Sequence, residues 1–171
     1  LIQKTTFPVC FLIHDDASTD RTPEIIKEYE KCYPGLIKAF YQTDNSYAHP
    51  NRHQMRAEFF SWRIGKYEAL CEGDDYWIDP LKLQKQVEYI EKNPEFGMVY
   101  TKVIRYNQTA QKLEKSPWGG PYTEFIDLIK GNVVPTLSVL SRLDLIKQYQ
   151  TEIQPQQHQW SLGDYPVWLW F

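Results

Sequence analysis

The chain has 171 residues, and its 22 acidic and 19 basic side chains give a net charge of −3 at neutral pH. This length suits one domain with a buried core, and the scattered Lys and Arg residues argue against a nucleic-acid partner. No apolar run reaches the roughly 18 residues of a membrane span, and the three cysteines lack the spacing of a zinc site or a disulfide framework.

The cysteine usage indicates a reducing, cytoplasmic compartment. The first residue is Leu1 rather than Met, and the chain closes on the apolar pair Trp170-Phe171. We therefore expect residues 1–171 to form a single domain that is truncated at its N-terminus. The C-terminus is a second candidate for truncation.

Strand and helix patterns alternate along the chain. Apolar runs of strand length are followed by segments that carry a helical apolar stripe, several of which begin or end at proline or glycine. In chain order the patterns predict a strand at 9–13, a helix at 22–33, a strand at 36–41, a helix at 51–64, a strand at 67–71, a helix at 79–93 capped by Asp79, a strand at 97–104, a polar hairpin or loop at 107–120, a helix at 123–130, a strand at 136–141, a helix at 143–149, a loop at 150–159 and a final helix at 165–171. This alternation predicts a doubly wound α/β sheet.

Acidic residues follow two of the predicted strands. Asp15 and Asp16 come after the strand at 9–13, and Asp74 and Asp75 come after the strand at 67–71. Open α/β sheets bind their ligands at the carboxyl ends of the strands, so both pairs are expected at the ligand-binding edge. Adjacent carboxylates repel each other, and a divalent metal or the hydroxyl groups of a ligand would relieve that repulsion.

Each acidic group also has a purely structural explanation. Asp15, Asp16 and Asp20 suit turn and cap positions before a helix. The pair Asp74 and Asp75 suits a solvated loop, and Asp164 suits a helix cap. The three sites together are harder to explain in this way than any one of them. The sequence has no glycine-rich phosphate loop, so a nucleotide would need a metal to hold its phosphates.

Three motifs, in this order and spacing, carry a resemblance to a known family. They are Ile13-His14-Asp15-Asp16-Ala17-Ser18-Thr19-Asp20, Glu72-Gly73-Asp74-Asp75 with Asp79-Pro80 after it, and Gly163-Asp164. They resemble the family 2 glycosyltransferases, which are inverting enzymes of the GT-A fold. The resemblance implies a Rossmann-like, three-layer α/β/α architecture with a mostly parallel central sheet.

The resemblance also implies roles for individual residues. Asp16 would pair with the base of the nucleotide, usually uracil, and Asp74 would lie near the ribose. Asp75 would bind a divalent metal, Mn²⁺ or Mg²⁺, that bridges the diphosphate. Asp164 would be the catalytic base, and Arg52 or Arg56 would face the diphosphate.

Two departures from the family pattern stand out. The family opens with a strand that forms one wall of the base pocket, and nothing before Leu1 supplies it. Arg21 stands where the family usually has glycine. Its larger side chain is expected to alter the first acidic loop or to reach toward the ligand.

The expected function is metal-dependent, inverting transfer of a sugar from a nucleotide sugar, such as a UDP-sugar, to a hydroxyl group. The acceptor would be a carbohydrate or a lipid-linked sugar in bacterial cell-surface polysaccharide or glycolipid synthesis. The setting would be the cytoplasm, with peripheral contact at the inner membrane face. One alternative is a sugar-nucleotide nucleotidyltransferase, which should carry a glycine-rich, basic loop that this chain lacks. Another is a non-catalytic nucleotide-sugar-binding domain, which the missing strand favours and Asp164 disfavours.

Overall fold

A computed structural model describes residues 2–47, 49–120, 124–158, 160 and 163–171. The chain folds into two compact units. The N-terminal unit is Thr5–Ile64, and the C-terminal unit is Gly65–Phe171 together with the first residues through Lys4. That residues 1–171 form a single domain stays a prediction.

The N-terminal unit alternates two strands with two helices, as the sequence predicts. Its elements are β1 (Phe11–Asp15), α1 (Thr22–Cys32), β2 (Ile37–Tyr41) and α2 (Arg52–Ser61). The two strands are parallel, with Phe11 opposite Ile37 and Asp15 opposite Tyr41. The carboxyl ends of both strands therefore lie at the same edge of this small sheet. The first acidic loop begins at that edge, directly after β1.

The C-terminal unit holds the remaining elements. They are β3 (Tyr67–Ala69), α3 (Lys82–Lys92), β4 (Met98–Val99), β5 (Tyr106–Asn107), β6 (Lys112–Leu113), α4 (Phe125–Lys130), β7 (Leu140–Arg142), α5 (Leu143–Ile153) and α6 (Tyr165–Trp170), with 3₁₀ helices at Thr136–Ser138 and Pro155–Gln157. Strands β5 and β6 form the predicted polar hairpin. No helix in the described ranges is both long and apolar enough to cross a membrane.

The main sheet of the C-terminal unit is antiparallel. Strand β7 lies between β3 and β4 and runs antiparallel to both. The mixed α/β class is confirmed, but the mostly parallel central sheet is not seen in the described residues, where β1 and β2 are the one parallel pair of strands. The sequence prediction missed this because apolar runs give no strand direction, and β7 inserts between two strands that precede it in the chain.

The core of the C-terminal unit gathers around α6. Leu128, Val134, Val139 and Trp168 form a buried cluster, and partly buried apolar side chains such as Met98 pack against it. The C-terminal residue Phe171 packs closely against the residue that precedes β4, because a Cβ atom at Gly97 would collide with the Phe171 ring. This packing fixes the start of α6, where Asp164 lies.

Several predicted boundaries were wrong. The helix predicted from Asp79 begins at Lys82, and the strand predicted at 136–141 is a 3₁₀ turn followed by a short strand. The helix predicted to end at Tyr149 continues to Ile153. The start of α3 depends on a distant residue, since the Leu83 amide donates to Gln3 Oε1 at 3.0 Å while Asp79 Oδ1 accepts from the Leu81 amide at 2.9 Å.

Candidate active site

Asp16 follows β1, and its carboxylate is held in one orientation. The Ser46 amide donates to Asp16 Oδ1 at 2.9 Å, and Arg56 Nη2 lies 3.3 Å from Asp16 Oδ2. Arg56 is itself fixed by a 2.7 Å hydrogen bond from its Nε to Ser46 Oγ. The three residues form a closed network between the end of β1 and helix α2. Each carboxylate oxygen has two lone pairs, so Asp16 keeps the capacity to accept a further hydrogen bond from a ligand.

The electrostatics of this network favour the ionised form of Asp16. Burial alone would raise its pKa, but the hydrogen bonds from Ser46 and the charge of Arg56 outweigh burial and hold the pKa below its usual value. Burial, followed by the charges of Arg52 and Arg56, lowers the pKa of the nearby His53. The two arginines lie one helical turn apart on α2, which suits the predicted diphosphate contact. That contact stays a prediction.

Asp15 points to the other side of the loop. Its side chain is buried, and its Oδ1 has no hydrogen-bond partner in the described part of the chain. It lines an open pocket of about 380 Å³ together with Ser18, Lys27 and Tyr41. Asp16 does not line this pocket, so the two adjacent carboxylates face different surroundings.

The backbone of the first acidic loop is strained at Ala17 and relaxed at Arg21. Ala17 has a φ of 62°, in the left-handed region that favours glycine, whereas Arg21 has a φ of −77° and precedes the first residue of α1. The position where glycine would relieve strain is therefore Ala17. The expectation that Arg21 alters the loop has no support from its backbone geometry.

The second acidic loop follows β3 and carries three carboxylates in four residues. The Asp75 amide donates to the Glu72 carbonyl at 3.2 Å, which closes a turn around Gly73. Asp74 is exposed and Asp75 is half-buried. Desolvation, followed by the charges of Asp75 and Asp74, raises the pKa of Glu72. The loop therefore holds more negative charge than it can stabilise by itself.

The second acidic loop fits a divalent metal for which the protein supplies only some of the ligands. No three acidic, imidazole or thiol groups converge on one point within the described residues. Mg²⁺ and similar ions are commonly held by one or two carboxylates together with water and the phosphates of a substrate. Asp75 supplies one such carboxylate, which lies within that number. The metal itself stays a prediction.

Trp77 anchors the second acidic loop to the rest of the C-terminal unit. Its indole N–H donates to the Leu137 carbonyl at 2.7 Å. The Lys82 ammonium lies 4.2 Å from the centre of the Trp77 ring and donates to Gln86 Oε1 at 2.8 Å. Lys82 is buried, and burial lowers its pKa to about 8. The wall behind the acidic loop is therefore rigid and partly cationic.

Asp164 caps α6, as expected if its role is structural, and it also contacts the 3₁₀ helix Thr136–Ser138. The Tyr165 amide donates to Asp164 Oδ1 at 2.7 Å, and the Thr136 hydroxyl donates to Asp164 Oδ2 at 2.6 Å. The carboxylate is half-buried. Both oxygens are oriented, and each retains a lone pair that can accept a proton.

The structure brings together some of the predicted residues and adds others. Asp16 meets Arg56, and Asp74 and Asp75 share one loop with Glu72. The sequence analysis missed Ser46 and Thr136, whose partners lie 30 and 28 residues away in the chain. Neither residue belongs to a motif. That the two acidic loops face one ligand stays a prediction.

Comparison with known proteins identifies the family. The model of "Glycosyl transferase family 2" matches residues 2–143, which include both acidic loops. The chain belongs to glycosyltransferase family 2. The family prediction is therefore confirmed, and with it the expectation of a glycosyltransferase domain. Asp164 lies beyond the matched residues, so its role does not follow from the family match.

Several bacterial proteins are similar to this chain, and they include two whose names describe glycosyltransferases. A Mycobacterium tuberculosis protein, "Uncharacterized protein Rv1520", is 42% identical over 142 residues, which are 82% of this chain and 40% of that protein. The "Putative teichuronic acid biosynthesis glycosyltransferase TuaG" of Bacillus subtilis is 30% identical over 132 residues, 75% of this chain and 48% of the relative. The "Putative glycosyltransferase EpsE" of the same species is 33% identical over 98 residues, 57% of this chain and 33% of the relative. The chain thus spans half or less of the length of each of these relatives.

Proposed function

We propose that this family 2 domain transfers a sugar from a nucleoside diphosphate sugar to a hydroxyl group, with inversion at the anomeric carbon and dependence on Mn²⁺ or Mg²⁺. The observation that carries the proposal is the acidic loop Glu72–Asp75, which lies inside the matched region and directly after β3. Carboxylates at a strand's carboxyl end can bind a divalent metal, and such a metal can also bind the phosphates of a nucleotide sugar. The raised pKa of Glu72 reflects negative charge in the loop that a metal would relieve.

We assign recognition of the base to Asp16. Its carboxylate is ionised and oriented by Ser46 and Arg56, which makes it a ready hydrogen-bond acceptor. Uracil presents an imide N–H to such an acceptor, whereas the corresponding nitrogen of cytosine is itself an acceptor. The preference for UDP follows from this difference. Asp74 is assigned to the ribose, and Arg52 and Arg56 are the candidates for the diphosphate.

We assign the proton-accepting step to Asp164. In a single displacement the acceptor hydroxyl attacks the anomeric carbon and loses its proton, while the bond to the diphosphate breaks. The Asp164 carboxylate is oriented by Thr136 and by the Tyr165 amide, and it takes that proton. A divalent ion held by Asp75 would stabilise the negative charge that develops on the departing diphosphate.

The name of TuaG places that relative in teichuronic acid biosynthesis, which supports a role in cell-surface polysaccharide or glycolipid synthesis for this chain as well. The acceptor is then a carbohydrate or a lipid-linked sugar. The cytoplasmic location and the peripheral contact with the membrane that the resemblance implies stay predictions.

A thermal-shift screen tests the donor assignment. The melting temperature is measured with UDP, CDP and ADP, each with and without Mn²⁺. UDP with Mn²⁺ should raise it by about 5 to 10 °C at a hundredfold excess over Kd, and by more than UDP or Mn²⁺ alone. An equal shift for all three nucleotides, or the same shift without metal, would contradict the proposal.

A further inference from the structure

The 3₁₀ helix Thr136–Ser138 joins the acidic loop to Asp164 within the C-terminal unit. Its first residue, Thr136, donates to Asp164 Oδ2 at 2.6 Å, and its second residue accepts the Trp77 indole N–H at 2.7 Å. Its third residue, Ser138, accepts from the Gln86 side chain at 2.8 Å. Three consecutive residues thus contact three separate parts of the unit.

The segment that carries Thr136 is held firmly. Ser138 is almost fully buried. Its hydroxyl group donates to the Pro135 carbonyl at 2.7 Å, and the oxygen of this hydroxyl accepts from the Thr101 amide at 3.2 Å. The flanking Val139 is buried in the core. The Thr136 hydroxyl is therefore presented from a rigid backbone, and it has little freedom to leave Asp164.

We propose that Thr136 is a positioning residue for Asp164, whose hydroxyl sets the orientation in which the Asp164 carboxylate accepts the acceptor's proton. The inference rests on the proposed role of Asp164 as the base. A hydroxyl-to-carboxylate hydrogen bond is short and charge-assisted, and it fixes one oxygen while leaving its second lone pair for the incoming proton. The Tyr165 amide fixes the other oxygen, so two contacts define the carboxylate plane.

Two substitutions separate the hydroxyl from the shape of the side chain. Thr136→Val keeps the branched shape and removes the donor, whereas Thr136→Ser keeps the donor and removes a methyl group. Thr151→Val is the matched control, because Thr151 Oγ1 donates to the Lys147 carbonyl on the exposed face of α5. Each variant is compared with wild type and with Asp164→Asn.

The first readout needs no activity. Melting temperatures of Thr136→Val, Asp164→Ala and the double variant form a double-mutant cycle, because alanine removes both acceptor oxygens whereas asparagine keeps one. If the pair interacts as proposed, Thr136→Val lowers the melting temperature less in the Asp164→Ala background than in wild type. Strictly additive losses would show that the hydroxyl is not coupled to the carboxylate, and they would overturn the proposal.

The second readout is UDP release from UDP-glucose, UDP-galactose and UDP-N-acetylglucosamine with Mn²⁺, measured on the donor that wild type turns over fastest. Thr136→Val should lower kcat roughly tenfold or more with an unchanged donor KM, because a misplaced catalytic group affects the transition state and not donor binding. Thr136→Ser should stay within about threefold of wild type, as should Thr151→Val.

The outcomes distinguish this inference from the proposed function. Full activity in Thr136→Val with loss of activity in Asp164→Asn would overturn the role of Thr136 alone, as would equal losses in Thr136→Val and Thr136→Ser. Activity retained in Asp164→Asn, or no turnover of any donor by wild type, would contradict the proposed function, and the inference would fail with it.

Discussion

Replacing Lys82 with Met should abolish a gain in stability that the wild-type protein shows between about pH 7 and pH 9.5. The Lys82 ammonium is buried, with the Trp77 ring on one side and Gln86 Oε1 as its hydrogen-bond acceptor. None of the described carboxylates forms an ion pair with it. Burial therefore disfavours its charged form and lowers its pKa from 10.5 to about 8.

The sign of the effect follows from proton binding. At neutral pH the lysine is protonated in both states, and the folded state bears the full cost of the buried charge. Above about pH 8 the folded protein releases the proton more readily than the unfolded chain, so the free energy of unfolding rises until about pH 10.5. A shift of this size corresponds to about 3 kcal/mol, of which about 2 kcal/mol is regained between pH 7 and pH 9.5.

At pH 7 the substitution should change stability little. Removal of the buried charge stabilises Lys82→Met by about 3 kcal/mol, but the Gln86 Oε1 left without a donor costs about 1 to 3 kcal/mol. The Gln86 Nε2 group keeps its 2.8 Å bond to the Ser138 carbonyl in either case. The pH dependence, and not the absolute stability, is therefore the informative quantity.

The assay is urea unfolding at several pH values for wild type and Lys82→Met. Both are studied in a Cys71→Ser background, because the charge of Cys71 acts on Lys82. Lys92→Met, an exposed lysine of the same helix, is the control and should retain the wild-type pH dependence. Parallel stability curves for wild type and Lys82→Met would refute the reasoning, since they would show that Lys82 titrates alike in both states.

Two further substitutions test the acidic loops. Asp75→Ala should abolish the Mn²⁺-dependent part of the stabilisation by UDP. The intrinsic stability should fall little, because the substitution relieves repulsion among the loop's carboxylates. Asp144→Ala is the control, and an unchanged UDP and Mn²⁺ titration of Asp75→Ala would exclude Asp75 as a metal ligand. Asp16→Asn should weaken UDP binding at least several-fold in calorimetric titration and reduce the preference for UDP over CDP, since a lost or unpaired acceptor costs about 1 to 3 kcal/mol. Equal affinity of the wild-type protein for both nucleotides would contradict that role.

The N-terminal unit was the more predictable part of the fold. Continuous apolar runs and proline-marked helix ends are local signals, and they placed β1, α1 and β2 to within a few residues. The helix cap at Asp164 was likewise readable from its neighbours. These features depend on residues close together in the chain.

The rest depended on contacts between distant residues. The start of α3 is fixed by Gln3, 80 residues before the amide that it caps. The hydroxyl of Thr136 reaches Asp164 because a predicted strand begins as a 3₁₀ turn, and strand periodicity gives no sign of that turn. The strained residue Ala17 was also missed, because alanine is not a residue that signals a positive φ. Local patterns located the acidic side chains but not the groups that orient them.

The most direct test of the central claim is the rate of sugar transfer in Asp164→Asn, measured as UDP release with the preferred UDP-sugar and Mn²⁺. Asparagine retains much of the capping hydrogen bonding at the start of α6 but cannot accept the proton. UDP affinity and melting temperature are measured on the same samples to show that the fold and the donor site persist.

If Asp164 is the general base, Asp164→Asn loses about 10² to 10⁴ in rate while UDP affinity and melting temperature stay close to those of wild type. A transfer rate near that of wild type would contradict this role. Asp164 would then be a helix cap alone, and another group would have to accept the proton.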